Sequence, residues 1–532
     1  MMHHFQLLSL LSLLILSPRQ GALAAQDCPV HILHTNDLHS HLTGSSDPEL
    51  GGFAQIKAKL DELRTTRPVS MSLDAGDFSE GSEFFFARRG LNIFQILNRM
   101  GYDAVTLGNH DYLQGANHLN WIYSILPATY SLLGANFSTS HAYHALQNTL
   151  RPYTTIERNG VRFAILGLTT DDIFYRWRVE NNDEAMVFDP ITSAMMWIPR
   201  IRESHDFVIV LSHLGIDKDK DLVRQVSGID LVVGGHSHTL LRRPALELSP
   251  DGKPVPIVQT GAHGQYIGDL ELNACRGRPL ELKNYQLHPV QSRGSQDPVI
   301  ARRVADTSRA LDEEYPEWPL NREIAQSEVA LRPAGGISTE WSDLTAEAFR
   351  RSGNAELGLD LQVFAGLDRP AGPITRRDLV TLYPRRTGLH ERYGWTVQTV
   401  LLPGWMIQTI VNTLVSLPNP FSVSGMQVEV EPVRGQRGKL RLKRILVGSD
   451  RTHAVGLRGS RMYRIALPQG LVGEALKAIP ALRLISRRPT DTGIPIWHAI
   501  ENELLRRGGR LSAYTSWEQR SVTIPESVPA VR

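Results

Sequence analysis

The sequence predicts an α/β layered domain followed by a second, smaller α+β domain. Three observations predict it. From Val30 to about Leu287 short apolar strands alternate with amphipathic helices, two of those strands are apolar almost throughout, and beyond Arg322 the texture changes. The chain has 532 residues, against a typical domain of roughly 100–200, so two sizeable domains are expected. Hydrophobic residues make up 42% and charged residues 21%, which argues against wholesale disorder. Lys+Arg 57 minus Asp+Glu 55 gives a net charge of +2, and no basic stripe is concentrated anywhere, so a nucleic-acid partner is not expected.

The first segment reads as an address. Leu7 to Leu16 is Leu and Ile broken only by Ser9 and Ser12, too short to span a bilayer and suited to the core of a signal peptide. Pro18 and Gly21 break that helix, and Ala22-Leu23-Ala24-Ala25 offers small residues for cleavage. The alternative is a frayed N-terminal helix. Asp27 before Cys28 is a poor context for lipidation. Residues 1–25 are therefore read as a signal peptide and the rest as a periplasmic or secreted protein, with no later run long and apolar enough for a membrane span. In an oxidising compartment two cysteines favour one bridge, Cys28–Cys275, two free thiols being the alternative.

The strands come in order. Val30–Leu33 is the first, then a helix with Phe53, Ile56, Leu60 and Leu63 on one stripe. Val69, Met71 and Leu73 alternate; Ala104–Leu107 and Val161–Leu166 are two more strands. Phe207–Leu211 and Ile229–Val233 are nearly continuous apolar runs, as strands buried on both faces should be. Asp297–Tyr315 predicts a connecting helix that stops before Pro316, within a linker spanning 291–321. The first domain is set at 26–290 and the second at 322–532, with helices over Asp343–Arg351 and Met406–Leu417 and fraying from about Val522.

The residues just beyond each buried strand carry the chemistry. The segments are His34-Thr35-Asn36-Asp37-Leu38-His39, Asp74-Ala75-Gly76-Asp77, Gly108-Asn109-His110-Asp111, Ser212-His213-Leu214-Gly215 and Gly234-Gly235-His236-Ser237-His238. Any one of them alone is more often a polar turn than a site. Repeated at the carboxyl ends of strands, where open α/β sheets place their sites, they predict a metal centre. Carboxylate, carboxamide and imidazole without thiolate favour Zn, Mn, Fe, Co or Ni. The donors are too many for one ion, and a shared Asp can bridge two. Such a pair generates a nucleophile from water at neutral pH and stabilises charge on a phosphoryl group.

This series resembles the calcineurin-like metallophosphoesterases, and within them the exported 5′-nucleotidase / 2′,3′-cyclic phosphodiesterase family. Gly51-Gly52-Phe53-Ala54 and Tyr266–Leu272 add to the likeness, which covers roughly residues 30–290. The resemblance implies a four-layer αββα sandwich with a 5′-nucleotidase-like C-terminal domain. It implies two divalent ions, one held by Asp37, His39, Asp77 and His238, the other by Asp77, Asn109, His213 and His236. It makes His110 the catalytic histidine, stabilising the pentavalent phosphorus or protonating the leaving oxygen. The nucleotidases place an Asp three positions after that histidine to orient it; here the position is Leu113. Asp111, an immediate neighbour, is expected to point elsewhere.

Farther on the likeness thins. Asp343–Arg350, Gly372–Leu379, Leu402–Trp405 and Val423–Met426 fall in the family's order. Where nucleotidases show Asn-Gly-Gly-Gly-x-Arg this chain has Phe364-Ala365-Gly366-Leu367-Asp368-Arg369. Pro384-Arg385-Arg386-Thr387 replaces Pro-Phe-Gly-Asn, and Glu474–Ala478 replaces the glycine loop that clamps the base. Arg369 stands where the family's substrate arginine would, and Phe421 is the candidate to replace the lost stacking aromatic, worth ~1–3 kcal/mol in nucleic-acid sites. Arg350, Arg376, Arg377, Arg385 and Arg386 are more simply surface charges. The leading expectation is an exported phosphomonoesterase for a small phosphorylated substrate, nucleotides included, with relaxed base preference. The alternatives are a phosphodiesterase, a sulfur-ester hydrolase, or a metal-loaded binding protein.

Overall fold

The computed structural model describes residues 27–523 apart from 45–46, 48, 173–184, 333–337, 363–365, 367, 385–392, 417–420, 435, 437–438, 449–452, 473–488 and 515–520. The expected signal peptide, Arg385 and Arg386, and the Glu474–Ala478 segment lie outside the described residues.

The strands of the first part are, in chain order, β1 (Pro29–Thr35), β2 (Ser70–Asp74), β3 (Ala104–Thr106), β4 (Ser131–Leu133), β5 (Phe137–Thr139), β6 (Leu150–Arg151), β7 (Tyr153–Arg158) and β8 (Val161–Thr169). They continue with β9 (Ala185–Val187), β10 (Phe207–His213), β11 (Leu231–Gly234), β12 (Ala245–Leu248), β13 (Pro254–Val258), β14 (Tyr266–Asn273) and β15 (Glu281–Pro289). Among the described residues one sheet runs β15-β14-β1-β2-β3-β4-β6 and another β12-β13-β11-β10-β8-β7. Parallel pairing joins β1 to β2, β2 to β3 and β3 to β4, and in the other sheet β8 to β10, β10 to β11 and β11 to β13.

The two-residue period of a strand explains the layering. Ile32 of β1, Met71 and Leu73 of β2, Phe163 and Ile165 of β8, and Phe207 and Ile209 of β10 form one buried cluster, so the two sheets pack face to face. The intervening residues point outward to helices. Leu33 meets the cluster that holds Phe53, Ile56 and Leu60 of the helix Phe53–Thr66. On the far side Val208 and Val210 join Ile198 and Leu222 of the helices Pro190–Arg202 and Ile216–Gln225. Helix, sheet, sheet and helix give the four layers expected. Both faces of β8 and β10 are buried along most of their length, which is why Phe163–Leu166 and Phe207–Leu211 are unbroken apolar runs. Phe163 is fully buried between the sheets, and truncating such a ring to Ala costs about 3–5 kcal/mol.

The two sheets share the site between them. The strands that carry the candidate ligands are divided: β1, β2 and β3 lie in one sheet, β10 and β11 in the other. A connection that changes sheet leaves no mark on hydrophobic periodicity.

The helix Pro298–Glu313 forms as its sequence predicts, with Asp297 accepting from the backbone N–H groups of Val299 and Ile300 and Pro298 in the first turn. Beyond it, among the described residues, a five-stranded sheet runs Phe421–Ser424, Leu357–Leu361, Met462–Pro468, Thr396–Pro403, Thr490–Pro495. The helix Glu340–Ser352 begins on a capping box made by Thr339 and Ser342, and the helix Gly404–Ser416 follows the strand before it directly. Val522 and Thr523, expected to fray, instead form a strand beside Val428 and Glu429, with Val522 buried. Burial of one valine and two strand pairs outweighs the polar composition around them.

The two parts meet through aromatic rings. Trp318 stacks on Trp497 with centroids 5.9 Å apart, and Phe86 lies 5.7 Å from Trp497. Phe86 belongs to the short 3₁₀ segment Glu83–Gly90, which comes directly after the candidate ligand loop beyond β2. The C-terminal part therefore packs against the chain that positions the site.

Candidate metal centre

The carboxyl ends of β1, β2 and β3 from one sheet and β10 and β11 from the other converge. Asp37, His39 and His238 place ligand atoms within 4.8 Å of one another, and so do Asp77, His213 and His236. A third group, His39, Asp77 and His110, meets the same limit and links the other two. The backbone is bent to achieve this. Asp37, His39, Asp77, His236 and His238 all have positive φ, between 47° and 75°. Left-handed residues other than glycine are costly and gather at functional sites. Gly108 is obligatory here, since a Cβ would lie 2.1 Å from Asp77 Oδ1.

Hydrogen bonds to carbonyl oxygens settle which ring nitrogens face the centre. Carbonyls only accept, so His39 donates from Nδ1 to the Glu80 carbonyl at 2.7 Å and His213 donates from Nδ1 to the Ala75 carbonyl at 2.6 Å. Both Nε2 atoms then point inward as electron-pair donors. His39 Nε2 stands 3.1 Å from His238 Nε2, and His213 Nε2 stands 3.0 Å from Asp77 Oδ2. Asn36 braces Asp37: it donates to the Asp37 carboxylate at 2.6 Å while its own oxygen accepts from Thr260.

Acceptors aimed at acceptors in a dry site require positive charge between them. Protons alone answer part of this. Burial opposes a charged ring at His213, yet Asp77 and Asp37 push its pKa up to about 10. Burial likewise opposes ionised carboxylates, but His238 and His213 hold Asp37 at about 2, and His213, His110 and His39 hold Asp77 well below the usual range. Burial pushes His39 down to about 3 and His236 to about 4, keeping both neutral, as ligands must be. The Asn109 carboxamide oxygen is buried and makes no hydrogen bond, and without its proton His213 Nε2 is a second buried acceptor, 3.0 Å from Asp77 Oδ2. Two orphaned acceptors in one cluster fit a bound divalent cation, and the oxygen and imidazole donors suit the expected metals. Asp37, Asp77, Asn109 and His213 form a buried floor, whereas the His238 side chain is 43% exposed, so the centre opens on that side.

His110 lies beside this centre, its ring 4.7 Å from that of His39 and its backbone N–H donating to Asp77 Oδ1 at 2.8 Å. Asp111 points away, as expected, and accepts from the backbone N–H groups of Asp77, Gly108 and Ser79. The partner of His110 is one that sequence reasoning missed: Nδ1 is bonded to the carboxylate of Glu80. Glu80 belongs to the loop after Asp77, and nothing in that loop's spacing signals it, since the contact arises from the fold of the loop itself.

The C-terminal candidates fare differently. Phe421 is buried among the apolar residues of the five-stranded sheet, so its ring is committed to the core, and the expected stacking role is corrected. A strand residue at an aromatic position looks the same in sequence whether it faces core or cleft. Arg369 is half-exposed and pairs with Asp378 at 2.6 Å. Arg350, Arg376 and Arg377 are paired with Glu347, Glu501 and Asp312 respectively. Cys28 and Cys275 are joined by a disulfide.

Residues 30–240 match the family profile of the calcineurin-like phosphoesterases. Mouse 5′-nucleotidase is 31% identical over 289 residues, 49% of this chain and 49% of that protein. The chain thus spans about half the length of the curated relatives it matches. Over 94% of this chain and all of the other, the fold matches that of a 5′-nucleotidase precursor from Thermus thermophilus at 22% identity, with a TM-score of 0.79. A sulfate thiohydrolase from Thermus thermophilus shares the fold at 16% identity over 93% of this chain and 97% of its own, with a TM-score of 0.71.

Proposed function

We propose that this chain, whose residues 30–240 form a calcineurin-like phosphoesterase domain, is an exported two-metal hydrolase of phosphomonoesters that acts in the manner of a 5′-nucleotidase with relaxed base preference. The observation that carries the reading is the convergence of Asp37, His39, Asp77, Asn109, His213, His236 and His238, with two buried acceptors left for a cation. We take residues 26–290 as the catalytic domain, 291–321 as its connector and 322–532 as the domain that selects substrate. The disulfide supports export to the periplasm or beyond.

Asp37, His39 and His238 form one ligand set, Asn109, His213 and His236 the other, and Asp77 serves both. Divalent ions held there, when bound, supply Lewis acidity toward phosphoryl oxygens and lower the pKa of water. The carbonyls of Glu80 and Ala75 hold the rings of His39 and His213 in the ligating tautomer. His110, on the rim, gives a proton to the leaving oxygen or a hydrogen bond to the developing charge. The resemblance in fold to the thiohydrolase supports a second reading, hydrolysis of a sulfur ester at the same centre.

The test is a screen of metal-stripped protein, with each of Zn, Mn, Fe, Co and Ni restored, over phosphomonoesters, phosphodiesters, nucleotides and sulfur esters. Metal-dependent turnover of phosphomonoesters is expected. Stoichiometric metal uptake with no turnover of any of them would favour a binding protein.

A further inference from the structure

We propose that Glu80 is the positioning residue of His110, supplying from the loop after β2 the orienting carboxylate that Leu113 cannot. This rests on the reading of His110 as the working histidine.

His110 needs an acceptor at Nδ1 if Nε2 is to exchange a proton with substrate, because a free imidazole divides its proton between the two nitrogens. The two nearby positions in sequence are closed to that task. Asp111 is engaged by three backbone N–H groups at 2.8–3.0 Å, and Leu113 is buried and carries no polar side-chain atom. The Glu80 carboxylate, by contrast, reaches Nδ1 directly. Both side chains are well shielded, 2% and 10% exposed, where such a bond is strong.

The loop that delivers Glu80 is pinned on both sides. Ser79 N–H donates to Asp111 at 3.0 Å, and Ser82 is locked to Ser40 through its N–H and its hydroxyl. Gly81 is required between them, since a Cβ there would lie 2.6 Å from the His39 Cβ. A carboxylate held this firmly orients a ring at little entropic cost. Glu80 then acts twice. Its backbone carbonyl sets the tautomer of His39, and its side chain sets that of His110. One residue couples the orientation of a metal ligand to that of the proton donor. The two functions are separable, because a side-chain substitution leaves the carbonyl in place.

The experiment is a double-mutant cycle on the metal-loaded full chain, joined to NMR of ¹⁵N-histidine-labelled protein. Glu80→Leu should lower kcat by about 10–100-fold, with KM and metal content at parental values. Glu80→Gln, which keeps the shape and a neutral acceptor, should fall between the two and serves if the leucine variant does not fold. In a His110→Ala background Glu80→Leu should cost no more than about twofold, because a residue acting through His110 has nothing left to act on. The Nδ1–H resonance of His110, assigned by its loss in His110→Ala, should be protected from exchange in the parent and absent in Glu80→Leu.

Glu80→Leu retaining parental kcat and that resonance while His110→Ala is impaired would overturn the proposal. So would a full Glu80→Leu penalty persisting without His110. Parental turnover in His110→Ala would instead remove the reading of His110 as the working group, while the resonance alone still decides whether Glu80 holds the ring.

Discussion

The two parts of the chain treat their polar side chains in opposite ways. In the first, carboxylates and imidazoles from separate strands are aimed at one another with nothing but a proton or a cation to reconcile them. His213 Nε2 faces Asp77 Oδ2 at 3.0 Å, and the Asn109 oxygen has no hydrogen bond. In the second, charges close on each other. Arg369 is taken by Asp378, Arg376 by Glu501 and Arg350 by Glu347. An unreconciled cluster stores the requirement for a ligand, while a reconciled one stores only stability. Under the proposed function the reactive chemistry therefore belongs to the first part, and the second, whose arginines are already paired, is expected to shape substrate choice with small effects.

The largest test of that contrast is Asp77→Ala. If one carboxylate serves both ligand sets, its loss should cut hydrolysis by roughly 10³-fold or more and lower metal occupancy at both positions. Elemental analysis finding as much metal as in the parent would end the shared role. Next in size is His110→Ala, expected to keep its metals and lose roughly 10²–10⁴ in kcat if the histidine is the general acid.

The disulfide offers a test of intermediate size. It closes a stretch of 247 residues around the metal-binding part, so reducing it should cost about 2–5 kcal/mol of stability. Thermal melts with and without reductant measure this, and thiol titration of denatured, unreduced protein should find no free thiol.

The smallest effects should come from the second part, and that is how the contrast is sharpened. With Phe421 committed to the core, kcat/KM for nucleoside monophosphates should exceed that for a simple aryl phosphate by less than about tenfold, or ~1.4 kcal/mol. A hundredfold preference for AMP, GMP or UMP would place a base pocket in a part of the chain that looks reconciled. If the exposed side of Arg369 meets substrate charge beyond its pair with Asp378, Arg369→Ala should raise KM for nucleotide and aryl phosphate by the same factor, within about tenfold, because that charge is common to both.

Sequence and structure agree most where physics is local. Each candidate ligand falls at or just after the end of a buried apolar run, so the segments that carry Asp37, Asp77, Asn109 and His213 are legible from strand ends. The choice of residues within them comes from the family resemblance. The helix Pro298–Glu313 is legible because Asp297 and Pro298 announce its start. What escapes depends on how distant segments pack. The division of the ligand strands between two sheets, the turn of Phe421 into the core and the pairing of Val522 are decided by neighbours far along the chain. Glu80 escapes for a related reason. It lies three residues past a predicted ligand, yet only the folded loop carries it to His110.

The central claim is a pair of ions sharing Asp77. Its most direct test is anomalous diffraction from crystals of the full chain loaded with Mn or Zn. Two anomalous peaks roughly 3.5–4 Å apart are expected, with the Asp77 carboxylate between them. A single peak, or two peaks of which only one is in contact with Asp77, would contradict it.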